Sequence, residues 1–205
     1  MVYNNFFLRL LITFIFLSIY LSISFINFSL VFYLIFLIYL IVLIEIIIYF
    51  KNYKYYPIIY LAISFVFFLI IDFEDQINFN LFILIVISFD IFSYIFGKLL
   101  GKNQLIKISP NKTVEGLLGG VFISFFLSLI FSYFFEIAIN MNLIIYIVLI
   151  IGFAYIGDIL ESYFKRKNNL KNSSNLIPGH GGVFDRFDSL IFSIIIYSIS
   201  INIIV

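Results

Sequence analysis

The chain has 205 residues, 64% of them hydrophobic and only 11% charged, with a mean hydropathy of +1.19 and a formal net charge of +1. Soluble domains carry about 25% charged residues, so no water-exposed fold could hide this much apolar surface and lipid must be the solvent. The absence of cysteine excludes disulfides, thiolate metal sites and cysteine nucleophiles, and a net charge near zero gives no reason to expect a nucleic-acid partner.

A crossing helix needs about 20 apolar residues. In chain order the segments that qualify are Phe6–Phe25, Leu30–Phe50, Pro57–Ile71, Phe79–Phe96, Val114–Phe135, Leu143–Phe164 and Ser189–Ile204. The start carries one charge, Arg9, and no small-residue cleavage site follows, so the first segment reads as a retained span rather than a signal peptide. Only a few residues around Asn27 separate the first two spans, which predicts a tight helical hairpin. The third span is short, and therefore tilted or partly interfacial. The predicted fold class is an all-α polytopic membrane bundle of seven helices with a cytoplasmic N-terminus. Residues 1–205 read as one membrane domain, in which 1–78 supply helices of generic character and 79–205 carry the motifs.

The charges support this count independently. Lys51 and Lys54 follow the second span, Lys98, Lys102, Lys107 and Lys112 the fourth, and Lys165, Arg166, Lys167, Lys171 and Arg186 lie between the sixth and seventh. With alternating crossings these loops share one side with Arg9. The opposite loops hold Asp72, Glu74, Asp75 and Glu136 and no basic residue. An odd miscount of spans would scramble that segregation. The positive-inside rule makes the basic side cytoplasmic. Glu45, alone near the cytoplasmic end of the second span, reads as a structural polar group or a snorkelling partner of Lys51 rather than a catalyst.

Two stretches carry chemistry. In the first, Asp90, Ser93, Tyr94 and Gly97 recur at helical spacing and share a face. An ionised Asp within a span usually faces a polar cavity. Two Gly-Lys pairs follow, Gly97-Lys98 and Gly101-Lys102, and then Ser109-Pro110-Asn111, which reads as a helix start with Ser as N-cap and Pro at the first helical position. Such a start, with Lys112 beside it, can bind an anion; a basic loop touching anionic lipid is the equal alternative. In the second stretch, Asp158 and Glu161 close the sixth span, Ser162 and Lys165 extend their face, and Asp185 and Asp188 open the seventh. Carboxylates on two helix ends can converge on a divalent cation such as Mg²⁺, which commonly bridges to substrate phosphates. Gly179-His180-Gly181-Gly182 between them lets backbone N–H groups approach a phosphate. Interhelical salt bridging, Asp185 with Lys165 for instance, explains some of these pairs. It leaves unexplained why carboxylates, a Gly-rich turn and five cations share one short loop. The combination suits phosphoryl or nucleotidyl transfer, which depends on positioning and charge neutralisation more than on a protein nucleophile.

At these stretches the sequence resembles the phosphatidate cytidylyltransferase (CDP-diacylglycerol synthase) family. The matching residues are Ser162, Lys165-Arg166, Lys171-Asn172, Pro178, His180-Gly181-Gly182, Asp185-Arg186 and Asp188, at the family's spacing, with Asp90, the two Gly-Lys pairs and Ser109 to Gly116 upstream. The resemblance implies transfer of a cytidylyl group from CTP to phosphatidate, with release of pyrophosphate. It implies Mg²⁺ held by Asp158 and Asp185, with a second cation left open. Asp158, Asp185, Asp188, Lys165 and Arg186 would then be catalytic. Asp90, Lys98, Lys102, Ser109, Lys112, Thr113, Glu115, Ser162, Arg166, Lys171, His180, Gly181 and Gly182 would handle the substrates. Membrane lipids and a homodimer partner are further expectations, as is a bacterial inner membrane with the site facing the cytoplasm. The family usually has Asp where this chain has Asn172. A CTP-dependent lipid-alcohol kinase, a cytidylyltransferase for another lipid phosphate, and a non-catalytic transporter or assembly protein are the competing readings.

Overall fold

A computed structural model describes residues 15–204 apart from 16, 74, 107 and 177–180, and for residues 111 and 201–204 the backbone only. Seven helices appear in this stretch: α1 (Leu17–Ile26), α2 (Leu30–Tyr49), α3 (Tyr55–Ile70), α4 (Gln76–Leu100), α5 (Val114–Phe134), α6 (Met141–Lys167) and α7 (Phe184–Ile204). Each matches one expected span. Residues 6–14 of the first span lie outside the described residues. Helices α2, α4, α5 and α6 are long and apolar enough to cross a membrane, whereas α3 has only 16 residues. The chain is an all-α polytopic membrane bundle.

Polar residues mark the helix starts. Asp75, Thr113 and Asn140 cap α4, α5 and α6 by accepting the N–H of Asn78, Gly116 and Leu143 at 3.1, 3.1 and 2.9 Å. Asn27 makes the expected turn between α1 and α2, its side chain accepting the Ser29 N–H at 3.0 Å.

Aromatic rings pack the helices that lie away from α5. Phe32 of α2 stacks on Phe68 of α3 with centroids 4.9 Å apart, and Tyr197 of α7 sits 4.6 Å from Phe82 of α4. Buried polar bonds fix the register of these apolar faces: the hydroxyls of Tyr39 and Ser64 lie 2.5 Å apart, and Ser64 donates onward to the Ile191 carbonyl. Helices α4 and α5 pack differently. Gly116, Gly120, Ser124, Ser128 and Ser132 recur every fourth residue along the buried face of α5, so the two backbones approach closely, as small residues allow between membrane helices. A β-carbon on Gly116 would come 2.6 Å from the Ser93 carbonyl oxygen of α4.

One expectation is corrected. Ser109-Pro110-Asn111 does not begin a helix. Ser109–Thr113 form strand β2, antiparallel to β1 (Gln104–Ile106), with Gln104 opposite Thr113 and Ile106 opposite Ser109. Proline's fixed φ suits an extended edge as well as a helical first turn. The pairing with β1 wins, and α5 starts only at Val114, capped by Thr113. This hairpin sits against the end of α6, where Arg166 Nε donates to the Ile108 carbonyl at 3.3 Å. The α2–α3 loop meets the same region, since the Asn52 N–H donates to the Asn168 side chain at 2.8 Å. The three basic loops therefore gather at one end of the bundle.

Candidate active site

At that end a cleft of about 730 Å³ opens between α4, the hairpin, α5, α6 and α7. The shared face expected on α4 is there: Asp90, Ser93, Tyr94 and Gly97 all line it, as does Lys98. Ser109, Lys112 and Thr113 contribute from the hairpin, Asp158 from α6, and Asp185, Arg186, Asp188 and Ser189 from α7. Apolar side chains such as Ile87, Ile91 and Leu117 complete the wall. Residues far apart in sequence thus bring four carboxylates and three cations to one cavity.

The ionic groups form two arrangements. In one, Lys165 Nζ lies 2.6 Å from both Glu161 Oε2 and Asp185 Oδ1, with all three side chains largely buried. The other Asp185 oxygen accepts the N–H of Gly182 at 2.8 Å and of Ser173 at 2.9 Å. Burial works against ionising Asp185, but its hydrogen bond with Glu161, the Lys165 charge and the Gly182 amide hold its carboxyl below the usual range. The salt bridge that the sequence allowed between Asp185 and Lys165 therefore exists.

The second arrangement lines the cleft. Lys112 Nζ lies 2.5 Å from Asp158 Oδ2, with the Asp158 side chain 34% exposed. Ser189 Oγ donates to Asp90 at 2.9 Å. Asp90, Asp158 and Asp188 are close enough to feel one another's charge. These oxygen donors suit a hard cation. Among the described residues no three acidic or histidine side chains are gathered tightly enough to hold a metal unaided. Mg²⁺ is commonly bound by one or two carboxylates together with substrate phosphates and waters, and Asp158 and Asp185 on the walls of one cleft fit that mode.

Other expected site residues lie elsewhere. Glu115 clasps the turn before β1, its oxygens accepting the N–H of Lys102 and Asn103 at 3.1 and 3.2 Å. Arg166 donates to the carbonyls of Ile108 and Leu170. Ser162 is buried, and neither it nor Lys102, Lys165 or Lys171 lines the cleft. Gly181 adopts φ +91°, a left-handed conformation that favours glycine, and packs against Asn172. Pro178, Gly179 and His180 lie outside the described residues.

Sequence reasoning missed the partners of Glu45. Its carboxylate accepts the N–H of Val183 at 2.9 Å and of Phe184 at 3.0 Å and takes the Ser173 hydroxyl as well. Lys51, its expected partner, is exposed. The available signal was a lone acid in an otherwise apolar helix. Ser189 and Tyr155, which also line the cleft, carried no signal that distinguished them from ordinary span residues.

A profile described as the cytidylyltransferase family matches residues 2–204. Phosphatidate cytidylyltransferase of Staphylococcus aureus strain COL is 45% identical over 111 residues, covering 53% of this chain and 43% of that protein. The protein of the same name from Staphylococcus haemolyticus is 38% identical over 136 residues, covering 65% and 52%. The chain spans about half the length of the curated relatives it matches. Because the family match runs over nearly the whole chain, through every helix that builds the cleft, the chain belongs to the cytidylyltransferase family.

Proposed function

We propose that the chain transfers the cytidylyl group of CTP to phosphatidate at the cytoplasmic face of a bacterial inner membrane. The observation that carries this reading is one cleft lined by four carboxylates, three cations and apolar side chains together. A phosphate oxygen of phosphatidate attacks the α-phosphorus of CTP. The α–β phosphoanhydride breaks and pyrophosphate leaves. Both substrates are anionic, so the main task is to neutralise charge while holding them in line. Lys98, Lys112 and Arg186 line the cleft and supply positive charge at fixed positions. Lys112 has an anionic partner already, Asp158, and can exchange it for a phosphate oxygen. Mg²⁺, when bound through Asp158 and Asp185, would supply further charge neutralisation on the phosphate oxygens. The apolar wall accepts the lipid's glycerol and proximal acyl carbons, leaving the chains in the bilayer.

Purified protein given CTP labelled at the α-phosphorus, Mg²⁺ and phosphatidate should release pyrophosphate and label the lipid. Pyrophosphate release that ignores phosphatidate, or label reaching the lipid from the γ position instead, would overturn the assignment. The second outcome would identify a kinase.

A further inference from the structure

We infer that Glu45 is a positioning residue for this transfer site, acting through the turn that joins α6 to α7. The inference rests on the transfer reading for its kinetic consequence, but the clamp itself is a matter of geometry. Glu45 is fully buried in a helix whose other residues, Leu30 to Tyr49, include no charged side chain. A carboxylate removed from water costs several kcal/mol unless it is paired and hydrogen-bonded. Among the described residues the compensation comes from the α6–α7 segment, through the amides of Val183 and Phe184 and the hydroxyl of Ser173. Those amides lie at the start of α7, where N–H groups have no intrahelical acceptor and a negative charge is favoured.

Gly182 makes room for this contact, since a β-carbon there would occupy the space of the Glu45 carboxylate. Ser173 is held twice, its hydroxyl by Glu45 and its N–H by Asp185. Asp185 also takes the Gly182 N–H, next to the amides that Glu45 takes. Two carboxylates from different helices therefore grip the same turn, and one of them lines the cleft. Glu45 itself does not line it, so its influence passes through the placement of Asp185 and Arg186. It also ties α2, one of the N-terminal helices, directly to the site.

The test compares Glu45→Ala, Glu45→Gln and Ser173→Ala in the purified full chain, by amide hydrogen exchange over residues 181–187 and by steady-state kinetics with CTP and phosphatidate. Misplacing a site by about 1 Å can cost about 100-fold in rate. Glu45→Ala should speed exchange in that segment at least about tenfold, leave α4 and α5 unchanged, and lower kcat by about 10- to 100-fold with KM for CTP held within about threefold. Glu45→Gln keeps an oxygen acceptor and should recover most of the protection and turnover. Ser173→Ala should fall between them, and it carries the test with Glu45→Gln if the alanine variant does not insert. Unchanged exchange over 181–187 in an inserted Glu45→Ala protein would overturn the inference. So would a change in KM alone, or a Gln variant as impaired as Ala. A wild-type chain that makes no CDP-diacylglycerol would sink the functional reading instead, and the exchange result would still decide whether the clamp exists.

Discussion

The two lysine–aspartate pairs at this end of the bundle differ in how much freedom each has. Lys165 is shared by Glu161 and Asp185, and the second oxygen of Asp185 is spent on two backbone amides. Lys112 and Asp158 face each other across the cleft with Asp158 one-third exposed. The first pair is largely buried and its charged atoms already have protein partners, so a cation at Asp185 would have to share those oxygens, and buried pairs lose far more when broken than exposed ones. The second is the more exchangeable, because the partly exposed Asp158 carboxylate can give way to a substrate phosphate as the partner of Lys112, whose Nζ is buried. Activity and stability should therefore separate between them.

The sharpest way to break that contrast is Lys165→Ala. It leaves Glu161 and Asp185 buried together without their cation, and losing one partner of a buried pair costs about 3–5 kcal/mol. We expect both a lowered unfolding temperature in detergent and loss of turnover. Intact stability in this variant would erase the distinction between the pairs. Asp158→Asn comes next, with pyrophosphate release reduced at least about 100-fold, the scale of a lost transition-state electrostatic group, and an unfolding temperature close to wild type. Near-normal turnover would remove Asp158 from the proposed metal site. A smaller effect is expected for pH. Asp185 is held below its ordinary value of 3.8, so its contribution to stability is complete above that value and is lost as pH falls below it. Unfolding temperature, corrected with a Lys165→Ala control, should therefore stay flat across neutrality and drop in strong acid. The least effect is expected for Asn172→Asp. Asn172 packs against Gly181 near the Asp185 carboxylate, and restoring the family's acid there should change turnover less than about tenfold, since Asn keeps the turn-forming oxygen. A gain of orders of magnitude would mean that this position carries a required charge.

The spans were legible because a 20-residue apolar run has one stable solution in lipid. The face shared by Asp90, Ser93, Tyr94 and Gly97 followed from helical spacing alone. The hairpin was not legible: Ser109-Pro110-Asn111 is compatible with a helix start and with an edge strand, and only pairing with Gln104–Ile106 decides between them. Nor were the partners of Glu45, which lie 128 to 139 residues further along the chain. The acid itself stood out, but local pattern cannot say which distant amides will meet it. Glu115 shows the same limit in reverse. Its motif position suggested substrate, and its carboxylate turns instead to the backbone at Lys102 and Asn103.

The file of glycines and serines along α5 acts as a spacer of minimum thickness. It runs from Gly116, beside the cleft, to Ser132 near the far end of the helix. Lys112 and Thr113 hang from the near end, so where they sit over α4 follows how tightly two backbones nest along several turns. A bulky side chain at Ser128 would work as a wedge at the long arm of a lever, widening the mouth of the cleft without touching anything in it.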